Sequence, residues 1–154
     1  MDEFLPSADA IHLVRQTHIG RLLQQAERAY RGAAVKRLQQ RGHQHVTLAH
    51  VALLSYLDLD GTRITVLAER AGITKQSMRQ LAIELETLGY ITRSDDPTDH
   101  RASLLKFTED GWRFLRDANA IKQELEARYN AQLGVPALQQ FREALQTVIH
   151  IDEE

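Results

Sequence analysis

Asp95-Asp96-Pro97-Thr98-Asp99-His100-Arg101-Ala102-Ser103-Leu104-Leu105-Lys106-Phe107-Thr108-Glu109-Asp110-Gly111 sets a polar tip carrying a cation between two short apolar runs. Strands are expected over about 90–93 and 103–107, flanking that tip as a β-hairpin. Thr108 then suits the cap of a following helix. Glu109 and Asp110 fall in its first turn, where carboxylates meet the positive end of the helix dipole.

Upstream of the hairpin the pattern is helix, tight turn, helix. A short helix is expected over 66–71 with Thr65 as its N-cap. Gly72 makes the turn, and Thr74 opens a second helix that Gly89 ends in a left-handed conformation. Successive helical residues turn through about 100°, so Gln76, Arg79, Gln80 and Ile83 share one face. Met78, Leu81, Ala82, Leu85 and Leu88 fall on the other and would seat the helix. The polar face carries the side chains that a major groove accepts. Arg79 can donate twice to guanine, Gln76 or Gln80 can pair with adenine, and Ile83 can touch a thymine methyl. Thr74, Lys75 and Ser77 at the helix start suit phosphate oxygens, beside free backbone amides. A polar face alone would describe any solvated helix. The order of short helix, glycine turn, second helix and cationic hairpin makes DNA contact the better reading.

The hairpin supplies the second half of that reading. Asp99 can hold the Arg101 guanidinium extended through a charge-assisted hydrogen bond, aimed at a narrow minor groove. The alternative for this pair is a surface ion pair of small energetic value. Arg93, at the hairpin's base, either meets phosphate or stays solvated. His100 either adds a contact or remains free at the tip.

Further out, residues 9–40 read as one long helix, with Ile11, Val14, Leu22, Ala26, Ala33 and Leu38 near helical spacing. Gly42, His43 and Gln44 break it, Thr47 caps a second helix to about 57, and 58–62 is a turn. The helix after the hairpin runs to about 130. Gly134 and Pro136 punctuate, and an amphipathic helix over 137–149 follows. These outer helices carry apolar residues over more of their circumference than one small core would use. Helices of this length are marginal in water without packing partners. Interleaving of two subunits in a homodimer is the economical solution, since cyclic dimers dominate soluble oligomers; a monomer folding the helices onto its own core is the alternative.

Composition bounds the remaining classes. At 154 residues and 43% hydrophobic, the chain suits one globular subunit. It has no cysteine, which removes disulfides, thiolate zinc sites and cysteine redox sensing. No apolar run approaches the roughly 20 residues of a membrane span, and the start lacks a signal-peptide pattern, so a cytoplasmic location without membrane association is expected. The net charge is −2. Residues 1–60 and 61–106 each hold seven Lys/Arg against six Asp/Glu, whereas 107–154 hold five against nine. The acidic excess therefore lies away from the hairpin, and a local basic surface is all that DNA requires.

The runs Ile64-Thr65-Val66-Leu67-Ala68-Glu69-Arg70-Ala71-Gly72-Ile73-Thr74-Lys75-Gln76-Ser77, Leu85-Glu86-Thr87-Leu88-Gly89-Tyr90-Ile91, Asp96-Pro97-Thr98-Asp99-His100-Arg101 and Phe107-Thr108-Glu109-Asp110-Gly111 together resemble the MarR family of bacterial regulators. Phe107 stands in the leucine position of the family's usual Leu-Thr-x-x-Gly. The motif-bearing part covers residues 64–111, and the flanking helices agree in number and order. The resemblance implies a mainly α fold with a small β-wing: one subunit over 1–154, a winged helix-turn-helix lobe at 47–108, and dimerisation helices at 8–42 and 109–151. It also implies a homodimeric transcriptional regulator, a repressor in the main reading, on a pseudo-palindromic double-stranded DNA site. Arg101 and Asp99 inherit the wing-tip roles.

Many proteins of this family release DNA when a small aromatic or phenolic anion binds between the two lobes. Here that cleft would be bounded by the first, second and fifth helices, with Arg15, His18 and Tyr30 as candidate contacts. His43, His45 and His50 form a His-x-His-x4-His cluster. Without cysteine or a nearby carboxylate it lacks zinc-ligand logic, so neither a metal nor another cofactor is expected. No Ser-His-Asp set, phosphate-cradling glycine loop or clustered carboxylate pair points to an enzyme. The competing class is a winged-helix module that binds protein without DNA. It would call for an apolar face where Gln76, Arg79 and Gln80 make a polar one.

Overall fold

The computed structural model describes residues 17–151, with the side chains of His100 and Arg101 left out of that description. Six helices and three strands follow in the order α1 (Ile19–Gln40), α2 (Leu48–Tyr56), β1 (Thr62–Arg63), α3 (Ile64–Ala71), α4 (Lys75–Thr87), β2 (Ile91–Asp96), β3 (Asp99–Phe107), α5 (Glu109–Leu133) and α6 (Val135–Ile151). The architecture is mainly helical with one small antiparallel sheet of order β1-β3-β2.

Apolar side chains from every layer meet in one core. Leu38 of α1, Leu53 and Leu54 of α2, Leu67 of α3, Met78 and Leu85 of α4, Leu105 of β3, and Phe114 and Ile121 of α5 are all buried within it. Removing this surface from water is the main force holding the elements in place. α1 lies along α5, which in turn carries α6, so the outer helices form one body beside the sheet.

Four elements depart from the sequence expectation. The helix expected over 9–40 is interrupted at His18, which is extended and caps α1, so α1 begins at Ile19; residues 9–16 of that expectation, with Arg15, lie outside the described residues. α3 starts at Ile64 with Arg63 as N-cap, ahead of the Thr65 cap expected. The end of the expected 58–62 turn is a third strand, pairing Thr62 with Leu105 and Arg63 with Leu104. Finally, the hairpin strands extend well past 93 and begin before 103, closing on a tight turn at Pro97-Thr98.

That tight turn is built by one carboxylate. Asp96 is 3% exposed, and its Oδ1 accepts from the Thr98 amide at 2.8 Å and the Thr98 hydroxyl at 2.7 Å. Its Oδ2 accepts from Nε of Arg63, reaching across from β1 at 2.5 Å. An aspartate bonding its own backbone two residues on is a turn-forming device. These bonds, Thr98 first and Arg63 next, hold the Asp96 carboxyl well below the usual carboxylate range. Pairing runs from Ile91↔Phe107 to Asp95↔Ser103 and then jumps to Asp96↔Asp99. The backbone of residues 100–102 therefore bulges out of register at the hairpin rim.

Candidate nucleic-acid interface

α3, Gly72 and α4 form the helix-turn-helix. Gly72 adopts φ 64°, a left-handed conformation that costs glycine nothing, and Ile73 N donates to Ala68 O at 3.1 Å to close the turn. Thr74 caps α4: its Oγ1 accepts from Ser77 N at 3.1 Å and contacts the Ser77 hydroxyl at 2.9 Å. The two hydroxyls expected at phosphate thus contact each other at the helix start. Lys75 and Gln76, in the first turn of α4, remain exposed there. Amides at a helix start attract anions, and Lys75 adds a formal charge to that end.

α4 divides as its period demands. Met78, Ala82 and Leu85 are fully buried, while Gln76, Arg79, Gln80 and Ile83 face solvent, Ile83 at 50% exposure. Arg79 has no ion-pair partner among the described residues. Gln80 is not loose. Its Nε2 donates to Glu84 Oε1 at 3.0 Å, and Glu84 Oε2 accepts from His50 Nε2 at 2.9 Å. The bonds from Gln80 and then His50 hold the Glu84 carboxyl below its usual range.

Arg93, expected either at phosphate or solvated, is paired within the subunit. It forms a two-pronged pair with Glu86 on α4, Nε at 2.9 Å from Oε1 and Nη2 at 2.8 Å from Oε2. The pair pins the wing to α4, and such bidentate geometry is among the stronger surface pairings. Asp99 sits at the start of β3 beside the bulge, within electrostatic reach of Arg63. His100 and Arg101 contribute backbone to that bulge.

The histidine cluster is dispersed. His43 is fully buried between the Tyr90 hydroxyl at 2.8 Å and Asp117 at 3.0 Å, linking the end of α1 to the wing's base and to α5. His50 accepts from Thr47 N at 3.3 Å through Nδ1 and completes a capping box at the start of α2. Among the described residues no group of side chains is arranged to hold a metal.

Between α1, α2 and α5 lies a cavity of about 450 Å³, where the interlobe cleft was expected. Tyr30, Leu54, Phe114 and Ile121 line it, with Arg31 and Lys122 as its cations. Burial, then Tyr129 and Glu126, pushes the Tyr30 phenol up, so it stays a neutral donor at physiological pH. His18 is not at this cavity. Its Nδ1 accepts from Gly20 N at 3.1 Å, which makes it a capping residue.

Sequence reasoning missed Arg63, Asp96, Glu84, Glu86, Arg31 and Lys122. Most of them act across different elements of the fold, where spacing carries little signal. The Gln80–Glu84 pair, four residues apart, and the Asp96–Thr98 turn, two apart, were open to local reading.

A short helix, a glycine turn, a helix with an exposed amide-and-guanidinium face, and a hairpin bound to it by Arg93 and Glu86 define a winged helix-turn-helix protein. Residues 46–102, which include that helix and most of the wing, match the model of the MarR family. The architecture around them recurs in solved structures. A MarR-family transcriptional regulator from Rhodococcus sp. RHA1 is 27% identical with a TM-score of 0.66, over 84% of this chain and 91% of that one. CouR from Rhodococcus jostii RHA1, solved bound to p-coumaroyl-CoA, is 27% identical with a TM-score of 0.67, over 86% and 92%. MepR, a transcription regulator of the Staphylococcus aureus multidrug efflux pump MepA, shares the fold at 21% identity and a TM-score of 0.69, over 86% and 96%. No curated protein matches the sequence. Over its helix-turn-helix and most of its wing the chain is thus similar to the MarR family, and its fold is that of these regulators. No helix among the described residues is long and apolar enough to cross a membrane.

Proposed function

We propose that this protein is a sequence-specific DNA-binding transcriptional repressor that acts as a homodimer on a pseudo-palindromic operator. The observation that carries the reading is the exposed face of α4. Gln76, Arg79 and Gln80 project from a helix whose other face is locked by Met78, Ala82 and Leu85. Those three side chains match the donor and acceptor pattern of a major groove, and an apolar protein-docking face would not carry them. Lys75 and the amides at the start of α4 supply phosphate contacts. Arg101 is the proposed contact in the adjoining minor groove, with Asp99 as its orienting partner.

The 8–42 and 109–151 segments are the proposed dimerisation helices. They set two 47–108 lobes on half-sites about one helical turn, roughly 34–36 Å, apart. A small aromatic or phenolic anion is the proposed effector that releases DNA. A cavity of about 450 Å³ is within the range of small-molecule sites. Tyr30 offers a neutral hydroxyl there, and Arg31 and Lys122 offer the charge complementary to a carboxylate. That CouR was solved with an aromatic thioester supports the effector class.

The test is selection of bound duplexes from a random pool at stated salt, followed by band shifts with aromatic acids. Recovery of a two-fold-symmetric sequence, with affinity falling steeply as salt rises, is expected. Failure to retain any duplex at modest ionic strength would remove the DNA reading. A symmetric site undisturbed by every acid tried would remove the effector alone.

A further inference from the structure

His50, Glu84 and Gln80 form a polar relay that runs from the start of α2 to the exposed face of α4. Every bond in it has a defined direction. Thr47 N–H faces His50 Nδ1 at 3.3 Å, so Nδ1 is an acceptor and the ring hydrogen sits on Nε2. Nε2 therefore donates to Glu84 Oε2 at 2.9 Å. His50 is 4% exposed and is fixed by its capping box, so this donor does not wander. The Glu84 carboxylate only accepts. Gln80, bonded to Glu84 Oε1 at 3.0 Å, must face it with the amide nitrogen. An amide carries nitrogen and oxygen on opposite branches. The Gln80 carbonyl, with no partner among the described residues, is then the group left for an incoming molecule.

We infer that Glu84, held by His50, is a specificity-determining positioning residue that fixes the polarity of Gln80. It makes Gln80 present an acceptor and read a base with an exocyclic amine. Adenine N6 and cytosine N4 are the two amines a major groove displays, whereas guanine and thymine turn carbonyl oxygens towards the same place. This rests on the DNA reading above and adds to it a chemical class for one operator position.

The relay makes an unusual demand on its own variants. In Glu84→Gln the His50 donor still requires oxygen, so the new amide turns its oxygen to His50 and its NH₂ to Gln80. Gln80 must then accept, swinging its own NH₂ outward, and the preferred base changes from an amine bearer to guanine or thymine. Glu84→Ala frees Gln80 to turn either way, so preference at that position fades. Gln80→Ala identifies which position it is. A role for Glu84 in helix stability alone would move none of these preferences.

The experiment is selection from a random duplex pool, run in parallel on the full-length protein and the three variants, each checked for folding by circular dichroism. Expected is enrichment of adenine or cytosine at one position per half-site, roughly threefold to tenfold, the scale of a single hydrogen bond. That enrichment should vanish in Glu84→Ala and Gln80→Ala and invert in Glu84→Gln. Identical base preferences in all four proteins would overturn the inference while leaving DNA binding intact. So would a guanine or thymine preference at the Gln80 position of the unaltered chain. Retention of no duplex by the unaltered chain would remove both the inference and the reading beneath it. Should Glu84→Gln fail to fold, the Glu84→Ala and Gln80→Ala pair still decides.

Discussion

Two residues show how differently single side chains act in this fold. Gly111 is buried where α5 crosses the base of the wing, and an added Cβ would stand 2.1 Å from the Tyr90 carbonyl oxygen and 3.0 Å from the Phe107 ring. The neighbour is backbone, already receiving the Thr108 amide at 3.1 Å, so it has little room to yield. Gly111→Ala should therefore cost about 3 kcal/mol, the upper end of ordinary overpacking, read as a lower urea midpoint. A midpoint within error of the parent would mean that α5 slides freely. Arg79 is the opposite case: it is exposed, unpaired among the described residues, and holds nothing together. Arg79→Ala should leave the urea midpoint alone yet weaken binding to the selected operator by about 1–3 kcal/mol and relax preference at one base pair. Arg101→Ala should weaken binding to all sequences evenly and flatten the salt dependence. Operator preference unchanged in Arg79→Ala would take that residue out of base readout.

Among the elements, the wing is the one whose shape hangs on ionisation. Asp96 is held well below its ordinary value by Thr98 and then Arg63, so its folded value lies beneath the unfolded one of about 3.9. A depressed carboxylate contributes stability that is complete above the unfolded value and lost as pH falls towards the folded one. The wing should keep its turn through neutral and mildly acid solution and loosen only below about pH 4. The Thr98 amide, bonded to the carboxylate, reports this directly by its NMR shift; Asp96→Asn should abolish the acid step, and a step surviving there would locate its cause elsewhere. The wing is also where sequence reading fell short. Strand periodicity ends at Arg93 because Ser94, Asp95 and Asp96 alternate no apolar face, although the backbone goes on pairing to Asp96. β1 is two residues long, too short for any period, and its Arg63 meets Asp96 from 33 positions away. α4 was legible for the converse reason: Met78, Ala82 and Leu85 repeat at helical spacing against one core. The family resemblance pointed to the interlobe cleft and its helices, yet His18 does not line the cavity and Arg31 and Lys122 do; Arg15 lies outside the described residues. Which way a helix rotates about its axis depends on packing partners that a one-dimensional pattern does not contain.

At the scale of the whole molecule, the described subunit leaves apolar surface in a place that matters. Ile19 and Leu22 near the start of α1, Leu133 and Val135 between α5 and α6, and Phe141, Val148, Ile149 and Ile151 along α6 are all exposed. Phe141, Val148 and Ile151 stand seven and three residues apart, steps that keep side chains on one helix face. Single exposed apolar residues need no explanation, but a continuous set on the outer helices does. The proposed homodimer covers them, and it also ties the two α4 faces to one operator. Introducing charge into that surface with Phe141→Glu and Val148→Glu should split the assembly, because each carboxylate would enter an apolar contact without a partner. Neither residue touches the α4 face, so each lobe should keep its own base preference. What should disappear is the second half-site binding as an intramolecular event, an advantage on the order of 10²–10⁴ in affinity for linked sites. Sedimentation should then show a single subunit, and band shifts should show full operators bound scarcely better than isolated half-sites. A doubly substituted protein that still sediments as two subunits would place the partner's contact on some other face, and the α1 and α6 surface would need a different occupant.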